Sequence, residues 1–216
     1  MPALVHGGAT AMSIKRTFIA IEFPTELTRS LQGYLLALRT DLECQKLLRA
    51  LRFVTPQNSH LTLRFLGDTT PEQLDSVRNR LQQLALAHKP FRLTFSGLGA
   101  FPNNRQPTVL WTDVRGDTEA LNLLQRDVEL LVQNSGFAAE KKPFHPHITL
   151  ARVQRDASSA ETGRLASWIE QMKQSTIVHD WSATLQVTQI SYIESVLTPN
   201  GALYTLLDRV VVVGSR

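Results

Sequence analysis

The 216-residue chain contains one cysteine, Cys44. A lone thiol builds neither a disulfide framework nor a cysteine metal cluster, which fits a reducing cytoplasm. No run of about 18 apolar residues is present, so no membrane span is expected. The opening "MPALVHGGATAM" lacks the basic flank and continuous apolar core of a signal peptide. Residues 1–13 are expected to be a flexible tail. The glycines of "SGLGAF" come without a Walker lysine and without a G-x-G-x-x-G spacing, which excludes the common nucleotide-binding loops. No linker and no low-complexity segment divides the chain.

What is present suffices for a core: 43% of residues are hydrophobic. The length fits one large domain or two small fused lobes. Net charge is only +4, but it is unevenly spread. Residues 1–108 hold 13 Lys and Arg against 7 Asp and Glu, and residues 109–216 hold 10 against 12. A basic first half would help attract a phosphate-bearing partner.

"RTFIAIEFP" predicts a mostly buried strand, followed by a helix with Leu27, Leu31, Tyr34, Leu35 and Leu38 inward and Thr25 as its cap. "LRFVTP" and "HLTLRFLG" predict strands. Thr70, Pro71 and Gln73 then open a capped helix with Leu74, Val77, Leu81 and Leu84 buried. Two strands, "FRLTFSGLGAF" and "TVLWTDV", precede a helix carrying Leu121, Leu124, Val128 and Leu131, which stops at Gly136. "HITLARV" predicts a strand, and Ser158 and Glu161 form the capping box of the next helix. "WSATLQVTQISYIES" predicts one strand and "ALYTLLDRVVVV" the last. A His-x-Thr-Leu strand, a capped helix and a strand thus occur twice. Helices and single strands do not alternate strictly, which argues against a doubly wound parallel sheet. The pattern predicts an α+β fold of two pseudo-duplicated lobes. Residues 14–216 are expected to form this single bilobal domain.

The duplicated frame carries the chemistry. His60-Leu-Thr62-Leu and His147-Ile-Thr149-Leu lie 87 residues apart. In a strand, residues i and i+2 share a face. Each lobe therefore offers an imidazole beside a hydroxyl, with Leu61, Leu63, Ile148 and Leu150 turned to the core. Two opposed histidines suit in-line chemistry at phosphorus. A neutral imidazole takes a proton from the nucleophile, and a protonated one gives a proton to the leaving oxygen. Threonine hydroxyls can hold the non-bridging oxygens. A single His-x-Thr is more often a satisfied core or surface residue; its repetition in matching strands reverses that. His145 and His147 have a ligand-like spacing, but no cysteine or carboxylate lies close to them in the sequence. No metal or other cofactor is therefore expected, and His145 is expected to shape the strand entry with Pro146.

The two motifs resemble the signature of the two-histidine phosphoesterase superfamily. "RTFIAIEFP", "TPQNSHLTLRFLGD", "LGAFPNNRQPTVLW", "PFHPHITLAR" and "ESVLTPNGALYTLL", in this order, resemble the bacterial RNA 2′,3′-cyclic phosphodiesterase family, also called 2′-5′ RNA ligase. The resemblance covers roughly residues 14–212. It implies a bilobal two-histidine phosphoesterase fold of the α+β class, two pseudo-duplicated antiparallel-sheet-plus-helix lobes around a central V-shaped groove. It also implies metal-independent hydrolysis of an RNA 2′,3′-cyclic phosphate to a 2′-phosphate, and weak reverse joining by a 2′-5′ link. By resemblance His60 is the proton donor, His147 the base, and Thr62, Thr149 and Arg152 hold the phosphate. Strict alternation objects to Arg152, which it puts on the face opposite His147; a bulge near Ala151 would bring it round. Phe23 and Tyr204 could stack on a base, although core packing is the expected role of both. The implied partner is RNA with a cyclic phosphate end or a related nucleotide, with no membrane and no obligatory protein partner. Two other readings share the fold: a nucleotide- or RNA-binding module without turnover, and a phosphodiesterase of small nucleotide cyclic phosphates or 2′-5′ oligoadenylates. Retention of both histidines and both threonines argues against the module.

Overall fold

The computed structural model describes residues 13–199 and 201–214. The tail expected over residues 1–13 lies outside these, apart from Ser13. Within the described residues, nine strands and five helices follow in the order β1 (Lys15–Glu22), α1 (Thr25–Cys44), β2 (Leu51–Phe53), β3 (His60–Thr69), α2 (Pro71–Ala87), β4 (Phe91–Phe101), β5 (Val109–Gly116), α3 (Thr118–Gln133), β6 (His147–Val153), α4 (Ser159–Met172), α5 (Thr176–His179), β7 (Ser182–Val187), β8 (Gln189–Thr198) and β9 (Gly201–Val211).

The helix stripes are where the periodicity puts them. Leu74, Val77 and Leu81 of α2 and Leu121, Leu124, Val128 and Leu131 of α3 are buried, and Leu84 is only partly so. Both capping boxes form: Thr70 with Gln73, and Ser158 with Glu161. The third expected cap does not. Pro24 holds the N-cap position of α1, and Thr25 is already helical. Proline fixes the extended entry without a side-chain acceptor. Gly136, at φ +86°, takes the left-handed backbone that turns the chain after α3.

The strands form two antiparallel sheets, ordered β3-β1-β8-β9 and β2-β6-β5-β4-β7. Helices α2 and α3 pack with the first sheet, and α1, α4 and α5 with the second. Two lobes, one per sheet, are therefore present, but they are not consecutive halves of the chain. β3-β1-β8-β9 matches β6-β5-β4-β7 strand for strand. In each sheet the histidine strand lies beside the first strand of its own repeat, and the third position is filled by the other repeat. The basic first half of the sequence is likewise divided between both sheets and makes no single face.

This exchange also corrects the expectation of one strand over "WSATLQVTQISYIES". The run breaks at Thr188: β7 finishes the second sheet beside β4, and β8 enters the first beside β1. Its composition is strand-like throughout, so propensity marks no boundary. The change of sheet is a tertiary event.

Candidate active site

His60 and His147 begin the corresponding strands β3 and β6. Leu61, Leu63, Ile148 and Leu150 are buried, while the histidines and threonines between them are half-buried on the other face. Each imidazole is pinned in the same way. His60 Nδ1 is 2.8 Å from the carbonyl oxygen of Asn58, and His147 Nδ1 is 2.8 Å from that of His145. An Nδ1–H donating to a carbonyl fixes the tautomer and leaves Nε2 for chemistry. β3 and β6 approach one another, and the charge of His147 is felt at His60.

Both strands bulge one step past the threonine. On β3 the register passes from Ala20↔Thr62 to Ile19↔Arg64, which skips Leu63. On β6 it passes from Trp111↔Thr149 to Leu110↔Ala151, which skips Leu150. The two skipped residues are also 87 apart. The bulge shifts the alternation by one. Leu150 and Ala151 are consecutively buried, and Arg152 is exposed on the histidine face. The objection from strict alternation is thereby removed. The same shift turns Arg64 toward α3, where its Nε donates to Glu129 at 2.6 Å and its side chain is largely covered, and presents Phe65 to the groove with 59% of its surface exposed. Phe65 was missed by sequence reasoning, although it stands at the position of Arg152 in the first copy of the motif.

Aromatic side chains frame both imidazoles. The ring centroid of His60 is 4.7 Å from that of Phe18 and 5.3 Å from that of Tyr204. Tyr204 thus lies in the groove, against the expectation of core packing. Phe23 does pack inward, 5.4 Å from Phe95. On the other side Phe101 is 4.8 Å and Trp111 6.5 Å from His147, and both rings also contact His145 at 5.1 Å. Trp111 lies so close over Gly99 that a Cβ there would be 2.4 Å from its ring, so only glycine fits.

The electrostatic settings differ. Burial lowers the pKa of both histidines below 6.5 and is the largest influence on each. At His60 this is opposed by the Asn58 hydrogen bond and by Glu22, its cross-strand neighbour. The Glu22 carboxylate is held by the Ser191 hydroxyl and by Arg209, 2.6 Å away. At His147 the His145 hydrogen bond opposes burial, while the nearby charges of His145 and Arg152 add to the lowering. Asp113 stands opposite His147 as Glu22 stands opposite His60. It is turned to its own strand, accepting from the Val114 amide at 2.9 Å with Arg115 3.7 Å away.

Two surface hollows of about 660 and 620 Å³ lie elsewhere, between α2 and α3 and between the end of α1 and α4. In the first, His88 and Asp127, 3.1 Å apart, tie the two helices. Among the described residues no three or more His, Cys, Asp or Glu side chains gather as a metal site. No helix among them is long and apolar enough to cross a membrane.

The sequence model of the family described as "LigT like Phosphoesterase" matches residues 26–111 and 114–204. A protein of Aquifex aeolicus named RNA 2′,3′-cyclic phosphodiesterase is 33% identical over 158 residues, 73% of this chain and 79% of that protein. One of the same name from Aeropyrum pernix is 31% identical over 74% of this chain and 85% of its own length. Among solved structures, TT0787 of Thermus thermophilus superposes with a TM-score of 0.69 at 26% identity, over 93% of this chain and all of the other. E. coli LigT complexed with NADP+ gives 0.65 at 25% identity, over 93% and 99%. With two antiparallel sheets, one His-x-Thr strand in each, and a match along most of its length, the chain belongs to the LigT-like phosphoesterase family.

Proposed function

We propose that the chain is an RNA 2′,3′-cyclic phosphodiesterase that opens cyclic phosphate ends to 2′-phosphomonoesters without a metal. The carrying observation is the pair of imidazoles from equivalent strands, each with Nδ1 pinned to the carbonyl two residues earlier and Nε2 left free. In this reading Nε2 of His147 takes a proton from water as its oxygen attacks phosphorus. The P–O3′ bond breaks, and Nε2–H of His60 gives its proton to O3′, leaving a 2′-phosphate and a 3′-hydroxyl. Thr62, Thr149 and Arg152 hold the non-bridging oxygens through the charge build-up. The surrounding charges support this assignment of roles. Glu22 favours the protonated form of His60, and His145 and Arg152 favour the neutral form of His147.

Phe65 and Tyr204 offer apolar faces for the terminal base beside His60. A 5′-hydroxyl in place of water would give a 2′-5′ link by the same steps, the route by which weak reverse ligation would run in this reading. The names of the relatives support RNA with a cyclic phosphate end as the substrate class of this reading.

The test is incubation of chelator-treated protein with an RNA ending in a 2′,3′-cyclic phosphate, with EDTA present throughout. A 2′-phosphate end is expected. A 3′-phosphate product would reverse the leaving group. Loss of activity in EDTA with rescue by a divalent ion would replace the two-imidazole mechanism with a metal-assisted one.

A further inference from the structure

Arg52 has no role in the chemistry above, yet its position is specific. β2 is the outermost strand of its sheet, and its register with β6 sets Arg52 directly opposite Arg152. Cross-strand partners share a face with Cβ atoms about 5 Å apart, and like charges so placed destabilise the pair. Leu51 is buried and Phe53 packs against the core, so Arg52 alone of β2 is exposed, on the groove side. Arg49, Arg64, Arg78, Arg115 and Arg209 each have a carboxylate within 4 Å. Among the described residues, neither Arg52 nor Arg152 has one. Two adjacent guanidiniums without counter-charge are a site for an anion.

Location separates Arg52 from the reacting phosphate. It lies one strand beyond β6 and level with Arg152, five residues past His147. That sets Arg52 one strand spacing, about 4.8 Å, off the histidine strand that carries Arg152. Arg152 is thus the arginine of the pair nearer a phosphorus held between the two imidazoles. The charge of Arg152 acts on His147 and on Tyr204, whereas Arg52 is not among the charges acting on either histidine. Arg52 instead points at the tip of the β8–β9 hairpin, where a Cβ on Gly201 would be 3.3 Å from its guanidinium. Asn58 pins the same tip by donating to the Ala202 carbonyl at 3.0 Å. The hairpin and the arginine pair thus border one end of the groove, on the strand next to the reacting centre.

We propose that Arg52, paired with Arg152, binds a second phosphate: the 5′-phosphate group of the nucleotide that carries the cyclic phosphate. The inference rests on the functional reading above and deepens it. In an RNA that group is the next phosphodiester, so the subsite selects an oligonucleotide end over a free nucleoside cyclic phosphate.

Equilibrium binding tests it without turnover. The probes are adenosine 2′-monophosphate, with one phosphate, and adenosine 2′,5′-bisphosphate, with two. The wild type should bind the bisphosphate at least about tenfold more tightly, the usual scale of a charge-assisted contact. Arg52→Gln should remove that preference and Arg52→Lys should keep part of it. The preference should also weaken as salt rises. Equal affinity for the two probes in the wild type, or an undiminished preference in Arg52→Gln, overturns the subsite. Loss of turnover on RNA cyclic phosphate with the preference intact would sink the proposed activity and leave the subsite standing.

Discussion

The surroundings of His60 and of His147 differ more than the motifs that carry them. The two strands share a histidine, a threonine, a bulge at the same step and a pinned Nδ1. Around His60 are Phe18, Phe65, Tyr204 and a carboxylate, Glu22. Around His147 are Phe101, Trp111, a second histidine and Arg152. Duplication supplies two equivalent imidazoles; in the proposed mechanism, divergence of their neighbours favours His60 as the acid and His147 as the base. The position that is Phe65 in one copy and Arg152 in the other carries the proposed division of labour. One strand offers an apolar face and the other a cation.

Removal of either imidazole should produce the largest effect. His60→Ala and His147→Ala are each expected to lower turnover at least about a hundredfold. The residual pH profiles sharpen the comparison. Without His60 the alkaline limb should vanish, and without His147 the acidic limb. Exchange of these two losses would reverse the assigned roles. A correctly folded variant, judged by circular dichroism, with a near wild-type rate would remove that histidine from the mechanism.

Phe65 and Arg152 come next, because equivalent positions should fail differently. Arg152→Ala should lower kcat/KM by about 1.5–3 kcal/mol, the worth of a hydrogen bond to a charged group. The loss should be read mainly in kcat, since the phosphate charge is held through the transition state. Phe65→Ala should raise KM by about 1–3 kcal/mol of lost stacking and leave kcat nearly unchanged. Identical kcat and KM changes in the two variants would end the claim that the lobes have specialised.

The threonines test the shared part of the design. Thr62→Val and Thr149→Val each remove one hydroxyl and keep a strand-favouring shape. Each is expected to cost about 1–3 kcal/mol in kcat/KM, below either histidine. Full activity in the double variant would leave the phosphate cradle to Arg152 alone.

Much of this was legible in the sequence because local rules dominate there. Capping boxes, helical stripes and the His-x-Thr alternation are short-range signals, and the structure bears out the helices and strands they predicted. What escaped depends on distant partners. The exchange of β4 and β8 between sheets leaves no mark in a strand-like run, and the approach of Tyr204 to Phe18 and His60 is set by β9 pairing across β8 and β1. The bulge was the one tertiary feature with a signal. An arginine at a position where alternation forbids it can be reconciled only by a skipped residue. Phe65 carried the same signal in the first copy, at the same offset, and no chemistry drew attention to it.

Glu22 gives a smaller and more selective test. Its charge favours protonated His60, so Glu22→Gln should move the alkaline limb of kcat/KM to lower pH and leave the acidic limb in place. Burial lowers both imidazoles in the free protein, and kcat/KM reports the free protein. Its maximum should therefore fall on the acid side of 6.5 rather than at neutrality. Movement of the acidic limb instead would place Glu22 with the base.

The smallest effect is on stability, and its sign follows from the same burial. Both histidines have folded pKa values below the unfolded value of 6.5. As pH falls through 6.5 the unfolded chain binds protons that the folded protein does not yet accept, so stability drops until the folded values are passed. The carboxylates act in a lower window. Glu129, Glu161 and Glu170 are lowered from 4.5, and the stability they contribute is lost only as pH falls below that value. A fall in melting temperature between about pH 6.5 and 5 thus reports the two imidazoles rather than the acids. Replacement of both by glutamine removes their titration and should flatten the decline in that interval by a few degrees at most. The decline below about pH 4.5 should remain. An unchanged slope above about pH 5 in the double variant would assign the decline to other groups.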